Sequence, residues 1–234
     1  MEQLAKLVEK GPFGVDIHRI HAENFLTDLK NSIIITLGAV AGGLVVGFLG
    51  SLALARFRFY GRRAVVLTIL IVQMVPFVAL LIPLYLMLNN FHLTNTLLGI
   101  TIVYLMLILP YTVWMLRGFI INVPRELDEA AMVDGCTRWQ TFYRIILPLT
   151  GPGLVAASIY GFIQCWNEFI IINTLNESDH WNLMAWLASN QTLRGTAWGP
   201  LMAGAIMAAL PVVVLFLVIQ KNVAAGLTAG AVKG

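Results

Sequence analysis

Long runs without a charged residue alternate along the chain with short charged segments. The uncharged stretches cover residues 31–55, 64–116, 145–167 and 195–220. A helix needs about 20 predominantly apolar residues to cross a bilayer core, and the second stretch is long enough for two such helices. The pattern therefore predicts five membrane spans, at about 32–55, 64–88, 96–119, 149–172 and 199–220.

The composition agrees with an all-α integral membrane protein. Of 234 residues, 59% are hydrophobic and only 12% are charged, and the mean hydropathy is +0.81, whereas a soluble domain is about a quarter charged. In such a protein the formal charge of +3 reports orientation rather than nucleic-acid binding. Cys136 and Cys165 lie far apart, so they predict neither a disulfide framework nor a metal cage.

Basic residues in short loops predict which side of the membrane each loop faces. Four arginines follow the first span in "RFRFYGRR", so that loop is expected in the cytoplasm. Alternation then places residues 89–95 outside, 121–148 in the cytoplasm, 173–198 outside, and a tail of residues 222–234 in the cytoplasm.

Five spans with a cytoplasmic C-terminus leave residues 1–31 as an extracytoplasmic N-terminal segment. This segment lacks a positively charged start followed by an apolar core, so it is not a signal peptide. Either a short tail is translocated, or the natural chain has an earlier span that is absent here, and the second explanation is favoured.

The cytoplasmic segment "ELDEAAMVDGCTRWQTFYRIILPL" at 126–149 is too polar to cross a bilayer and too regular for a linker. Pro124, acids in the first turn and Gly135 predict a short helix. Thr137 is expected to cap a second, amphipathic helix bounded by Pro148. Its apolar face carries Trp139, Phe142, Tyr143 and Ile146, and its polar face carries Gln140, Thr141 and Arg144.

The first of these two helices has only a thin apolar stripe, formed by Leu127, Ala130 and Ala131. The paired alanines would let another backbone approach closely, so the helix has the character of a docking element. The alternative is an ordinary hairpin at the membrane interface.

The spacing of these residues resembles the "EAA…G…I-LP" motif of permease subunits in ATP-binding-cassette (ABC) importers. The matching residues are Glu129, Ala130, Ala131, Asp134, Gly135, Ile145, Leu147 and Pro148. The stretches "LARFRFYGRR", "IPLYL", "LRGFIINVPRELDEAA", "CWNEF" and "GLTAGAVKG" are similar, in the same order, to the sugar-importer branch. Members of this branch usually have six spans, so the first one is expected to be missing here.

The resemblance implies half of a translocation pathway for a sugar in the bacterial cytoplasmic (inner) membrane. It implies a second homologous permease, two ATP-binding subunits and an extracytoplasmic substrate-binding protein as partners. The coupling residues that it implies are Glu129, Ala130, Ala131, Asp134 and Gly135. No G-x-x-x-x-G-K-[ST] loop occurs, so ATP and Mg are expected on the partners, and the chain is expected to be neither an enzyme nor a metal protein.

Glu168 is the only ionisable residue deep in any predicted span. Such residues usually face the interior of a bundle or an aqueous cavity. The candidates for the substrate pathway are Gln73, Gln164, Trp166, Asn167 and Glu168, although Trp166 projects away from the shared face. Alternatively, Glu168 and Asn167 bond a neighbouring helix or cap the outer end of the span.

Two other functions compete with the importer permease. A secondary transporter driven by an ion gradient would need more ionisable residues at the midplane than Glu168 alone. A membrane enzyme would need a clustered catalytic set, yet the histidines (His18, His21, His92 and His180) all fall outside the predicted spans.

Overall fold

The computed structural model describes the backbone of residues 17–192 and 195–231, and the side chains of residues 24–177, 179–191 and 195–219. Short 3₁₀ turns lie at Phe77–Leu80 and Ser178–His180. A small antiparallel hairpin joins β1 (Gln191–Thr192) to β2 (Gly195–Thr196). The helices are α1 (Ile17–Arg56), α2 (Arg62–Met74), α3 (Leu81–Asn90), α4 (Leu97–Asn122), α5 (Arg125–Val133), α6 (Arg138–Leu149), α7 (Gly151–Trp166), α8 (Ile170–Leu175), α9 (Leu183–Ser189) and α10 (Trp198–Ala231).

The helical, membrane-protein character expected from the sequence is confirmed. Within the described residues, three helices are long and apolar enough to cross a membrane: Asn24–Arg56, Leu97–Asn122 and Trp198–Ile219. Two further pairs, Arg62–Met74 with Phe77–Asn90 and Arg138–Leu149 with Gly151–Trp166, are bent by 96° and 68°. If each bent pair is one span, the total rises to five.

Two of the predicted spans differ from the helices that form. The range 64–88 is interrupted at Val75, which is extended (φ −75°, ψ 124°) because the following Pro76 disfavours helical backbone before it. The range 149–172 is also divided, since α7 ends at Trp166 and Glu168 lies in the non-helical link before α8. Hydropathy alone did not mark either break, since both lie inside apolar runs.

The N-terminal segment predicted at 1–31 is only partly described. Residues 1–16 lie outside the described part of the chain, and residues 17–31 belong to α1. Asn31 Nδ2 donates to Trp181 O at 2.9 Å, and Ser32 Oγ accepts from Leu183 N at 2.7 Å. These bonds fasten α1, at the boundary of the apolar run, to the start of α9.

The other chain end behaves similarly. Helix α10 continues to Ala231, so most of the predicted tail at 222–234 is helical in backbone. Residues 232–234, with Lys233, lie outside the described part.

Helices α1 and α4 form the centre of the core and approach closely through glycines of α1. A methyl group added at Gly42 would lie 2.6 Å from Leu105 Cδ1, and one at Gly47 would lie 2.6 Å from Thr112 Cγ2. Small residues at such positions allow helices to pack tightly in membranes. The result is a fixed pair of helices against which α7 packs.

Candidate functional site

The short cytoplasmic helix predicted from the sequence forms as α5. Pro124 precedes it, and Glu126 and Asp128 lie in its first turn, where carboxylates favour the positive end of the helix dipole. At the other end, Gly135 N donates to Met132 O (3.2 Å) and the next N–H donates to the carbonyl of Ala131 (2.9 Å). Together with φ +83° at Gly135, these bonds form a Schellman motif and confirm the predicted stop.

Most of α5 is turned away from the rest of the chain. Ala131 is its one buried residue, at 5% exposure. Glu129, Ala130, Asp134 and Gly135 are exposed. The two alanines therefore differ: Ala131 packs inward, while Ala130 presents a small side chain on an open surface.

A reciprocal set of arginine contacts fastens α5 to the end of α1. Arg56 Nη2 donates to Val123 O at 3.0 Å, and Arg56 Nε lies 2.9 Å from Asp128 Oδ2 as an ion pair without hydrogen-bond alignment. In return, Arg125 Nη2 donates to Ala55 O at 3.3 Å. We call these contacts the arginine clasp.

The arginine clasp was not predicted from the sequence. In the sequence, Arg56 indicates only the orientation of its loop and Asp128 only the start of a helix. The available signal was a cation at the C-terminal end of a helix, where it can bond free carbonyls, but no spacing rule connects it to an acid 72 residues away.

Burial is the main influence on the pKa of the Asp128 carboxyl group. Desolvation raises the pKa of Asp128 above its ordinary value, although Arg56 and Arg125 act to lower it. The ionised form is therefore held by the arginines against the cost of removing it from water.

A cavity of about 320 Å³ lies beside the arginine clasp, between the end of α1, α5 and α6. Glu129 and Met132 of α5 face it, together with Arg58 and Arg138. This concave surface of mixed charge adjoins the exposed side of α5.

Helix α6 starts at the predicted cap, but it is not the regular amphipathic α-helix that the sequence predicts. Thr137 forms a capping box with Gln140: Gln140 N donates to Thr137 Oγ1 at 3.3 Å, and Thr137 N donates to Gln140 Oε1 at 2.7 Å. Thr141, predicted on the polar face, is 4% exposed and donates to Thr137 O. Phe142 begins a five-residue π-helical turn that ends at Ile146, so the spacing of 100° per residue does not hold there.

This π-helical turn packs into the core. Phe142 and Ile146 are buried in a cluster with Phe48, Leu116 and Ala157. The cluster joins α6 to α1, α4 and α7, so the segment after α5 is embedded among the long helices.

At the opposite end of α7, Glu168 works as a cap. Its Oε1 accepts from Ile171 N at 2.9 Å at the start of α8. Its backbone carbonyl accepts from Asn182 Nδ2 at 2.7 Å and from the Tyr104 hydroxyl at 3.2 Å. The contacts seen are those of the alternative in which Glu168 caps the outer end of the span and bonds neighbouring elements.

The remaining candidates for the substrate pathway occupy different environments. Gln164 and Asn167 are exposed near the end of α7, and Asn167 Nδ2 donates to Ile163 O at 2.8 Å. Gln73 is exposed on a separate helix, α2. Trp166 is 2% exposed and its Nε1 donates to Ala208 O at 3.0 Å, so this indole joins α7 to α10.

Comparison with known proteins decides the family. Residues 34–228 match the family described as "Binding-protein-dependent transport system inner membrane component". The chain belongs to this family. The permease is therefore a membrane component of a transport system and not itself an enzyme.

Curated relatives of the permease are subunits of sugar transporters. It is 45% identical to the diacetylchitobiose uptake system permease protein DasC of Streptomyces coelicolor, covering 91% of this chain and 78% of the relative. It is 35% identical to the arabinooligosaccharides transport system permease protein AraQ of Halalkalibacterium halodurans, covering 90% and 75%.

The fold of the permease is also found among solved transporters. A bacterial ABC transporter involved in the import of the acidic polysaccharide alginate contains a chain with a TM-score of 0.74. The identity is 23%, and the match covers 88% of the permease and 80% of that chain. At this identity the likeness shows the fold alone.

Proposed function

We propose that the permease forms half of the translocation pathway of an ATP-driven importer for a sugar. Its partners are a second homologous permease, two ATP-binding subunits and an extracytoplasmic substrate-binding protein. ATP and Mg bind to the ATP-binding subunits. The proposal rests on the family and on the sugar transporters to which the relatives belong.

The permease lies in the bacterial cytoplasmic membrane in this proposal, with its C-terminus in the cytoplasm. The arginine-rich loop between α1 and α2 supports this orientation. It places α5 on the cytoplasmic side, where an ATPase can reach it.

Helix α5 is the coupling element, with Glu129, Ala130, Ala131, Asp134 and Gly135 as the coupling residues. The observation that carries this assignment is that α5 exposes nearly all of its surface while being bonded to α1 at its first turn. A helix of nine residues with one buried side chain is too short to be stable by itself. Its free surface is suited to a partner.

Two connections transmit movement of α5 to the spans. The arginine clasp links it to the ends of α1 and α4, and the core cluster of Phe142 and Ile146 links the following segment to α7. A displacement of α5 therefore acts on the α1–α4 pair through the clasp and on α7 through the cluster.

The substrate pathway passes the outer end of α7 in this proposal. Gln164 and Asn167 offer exposed amides for sugar hydroxyl groups, with Glu168 beside them and Gln73 on α2 as a further polar group. Trp166 acts by positioning, because its buried indole holds α7 against α10.

A bulky substitution on the exposed alanine tests the coupling role. Ala130→Trp adds volume at an exposed side chain of α5, so the helices should still insert. We expect uptake of the sugar and the ATP hydrolysis stimulated by the loaded binding protein both to fall at least about tenfold, because a helix cannot seat against a close surface that an added ring overlaps. Ala64→Trp, at an exposed alanine outside α5, is the matched control.

Normal stimulated hydrolysis and uptake in Ala130→Trp would contradict the coupling assignment. The class of sugar is tested separately. The external binding protein is screened by calorimetry against mono- and disaccharides, and failure to bind any of them would contradict the sugar proposal while leaving coupling intact.

A further inference from the structure

A basic pocket lies between the start of α2 and the end of α4. Its volume is about 400 Å³, and its lining is Arg62, Arg63, Val66, Leu67 and Arg117. Three of these five residues are arginines and none is acidic. The pocket is thus a concentration of positive charge without a carboxylate in its wall.

Two features show that this charge is not compensated among the described residues. Arg117 Nε is buried without a hydrogen-bond partner, and an unpaired donor of a charged group is costly to bury. Helix α2 begins at the pocket with Gly61 as its N-cap, which gives no side-chain acceptor, and its first turn has no acid. The helix dipole therefore adds to the attraction for an anion.

The geometry of the donors indicates the kind of anion. Guanidinium groups bind both carboxylates and phosphates through paired hydrogen bonds, but a phosphate can offer oxygens to several guanidinium groups at once. Three arginines around one cavity give donors on several sides, as a tetrahedral phosphate requires.

The pocket also continues onto an uncovered apolar surface. Val66 and Leu67 form part of its wall, Leu67 is 58% exposed, and α2 has no buried residue. A free phosphate would use only the charged part of this site. A phospholipid would place its headgroup among the arginines and its acyl chains along α2.

We propose that this pocket binds the phosphate headgroup of an anionic phospholipid of the cytoplasmic leaflet. Basic pockets next to membrane helices on the cytoplasmic side attract such lipids. The inference goes beyond the proposed function and does not depend on the coupling role of α5 or on the substrate.

The test uses the purified transporter complex in nanodiscs made of phosphatidylcholine with a minor fraction of phosphatidylglycerol. Lipids retained by the complex on release from the nanodiscs are counted by native mass spectrometry. We expect retained phosphatidylglycerol to fall at least about tenfold in Arg117→Gln and further in Arg62→Gln/Arg63→Gln, since each charge-assisted hydrogen bond contributes about that factor. Arg58→Gln, which removes the same charge from the same loop but lines the other cavity, should retain the lipid.

Further arms distinguish the source of the phosphate. Inorganic phosphate in excess should not displace the lipid, because it lacks the apolar half of the ligand. Arg117→Lys keeps the charge but loses the paired donors, so it should bind at an intermediate level and shows that the fold tolerates replacement.

Equal retention by all variants would overturn the site. Binding of inorganic phosphate with the same dependence on the arginines, and no preference for phosphatidylglycerol, would overturn the lipid as its source. Release of the second permease from Arg117→Gln without a change in retained lipid would also overturn it, since the pocket would then be an interface.

Discussion

Glu168 is bonded through both its side chain and its backbone. The carboxylate caps the first turn of α8, and the carbonyl receives the hydroxyl of Tyr104 and the amide of Asn182. Tyr104 is fully buried and Asn182 is 2% exposed, so this small polar group fixes the link between α7 and α8 from inside the bundle.

Substitutions of Glu168 should separate its capping role from its role in transport. Glu168→Gln keeps an oxygen that can accept from Ile171 N, so thermal stability should change little, whereas Glu168→Ala should lose about 1 kcal/mol. If the charge serves the pathway, uptake should fall in both variants while the complex still assembles. Melting curves and uptake assays on the same preparations measure the two effects, and full uptake by Glu168→Gln would limit the residue to capping.

The sequence predicted the importance of Glu168 but not its position. The apolar run continues to residue 172, so hydropathy extends the helix through a break that hydrogen bonds from Tyr104 and Asn182 stabilise. Those partners lie 64 and 14 residues away. Tertiary contacts of this kind have no local pattern from which to predict them.

At the scale of elements, the arginine clasp fixes the position of α5. The start and the stop of this helix and the Thr137 cap that follows were all predicted, because Pro124, Gly135 and Thr137 act through local backbone chemistry. The attachment of α5 to α1 was not, since it depends on where two distant helix ends meet.

Exchanging the charges of the clasp tests its role. Arg56→Asp places two acids together, and Asp128→Arg places three cations together, so each should lower sugar uptake. The double exchange restores a pair of opposite charges. Its loss of uptake should therefore be smaller than the sum of the two single losses, by a coupling free energy of about 0.5–3 kcal/mol. Recovery will be incomplete because Arg56 also donates to Val123 O. Strictly additive losses in uptake would show that the ion pair has no part in coupling.

At the scale of the whole molecule, much apolar surface remains uncovered. Ile206, Phe216 and Val218 of α10 are about two-thirds exposed, at 67%, 67% and 68%. Surface of this extent is stable only against lipid or another apolar protein surface. The permease fold is therefore suited to a bilayer and to a membrane partner.

The assembly is expected to contain a homologous permease and two copies of an ATPase subunit. Co-expression of the chain with the second permease and the ATPase subunit should give one complex by affinity purification. Native mass spectrometry measures its composition. The chain expressed alone should show no ATP hydrolysis. A homo-oligomer that transports sugar without an ATPase would contradict the proposed assembly.

The glycine-lined contact between α1 and α4 has a mechanical consequence. These two helices form a rigid frame, and α7 is the arm that can move against it. Sliding of α4 along α1 would drive the side chains of Leu105 and Thr112 against the backbone of α1 next to Gly42 and Gly47. At the 68° elbow between α6 and α7, a methyl group at Gly151 would meet nothing within 4 Å. This bend therefore has room to change.

A cross-link between α1 and α4, inside the frame, should be harmless. Cysteines at Gly50 and Val113, where a new Cβ lies 3.7 Å from Val113 Cγ2, should leave uptake unchanged after oxidation, with the reduced protein as control; arrest of uptake on oxidation would show that α1 and α4 move against each other.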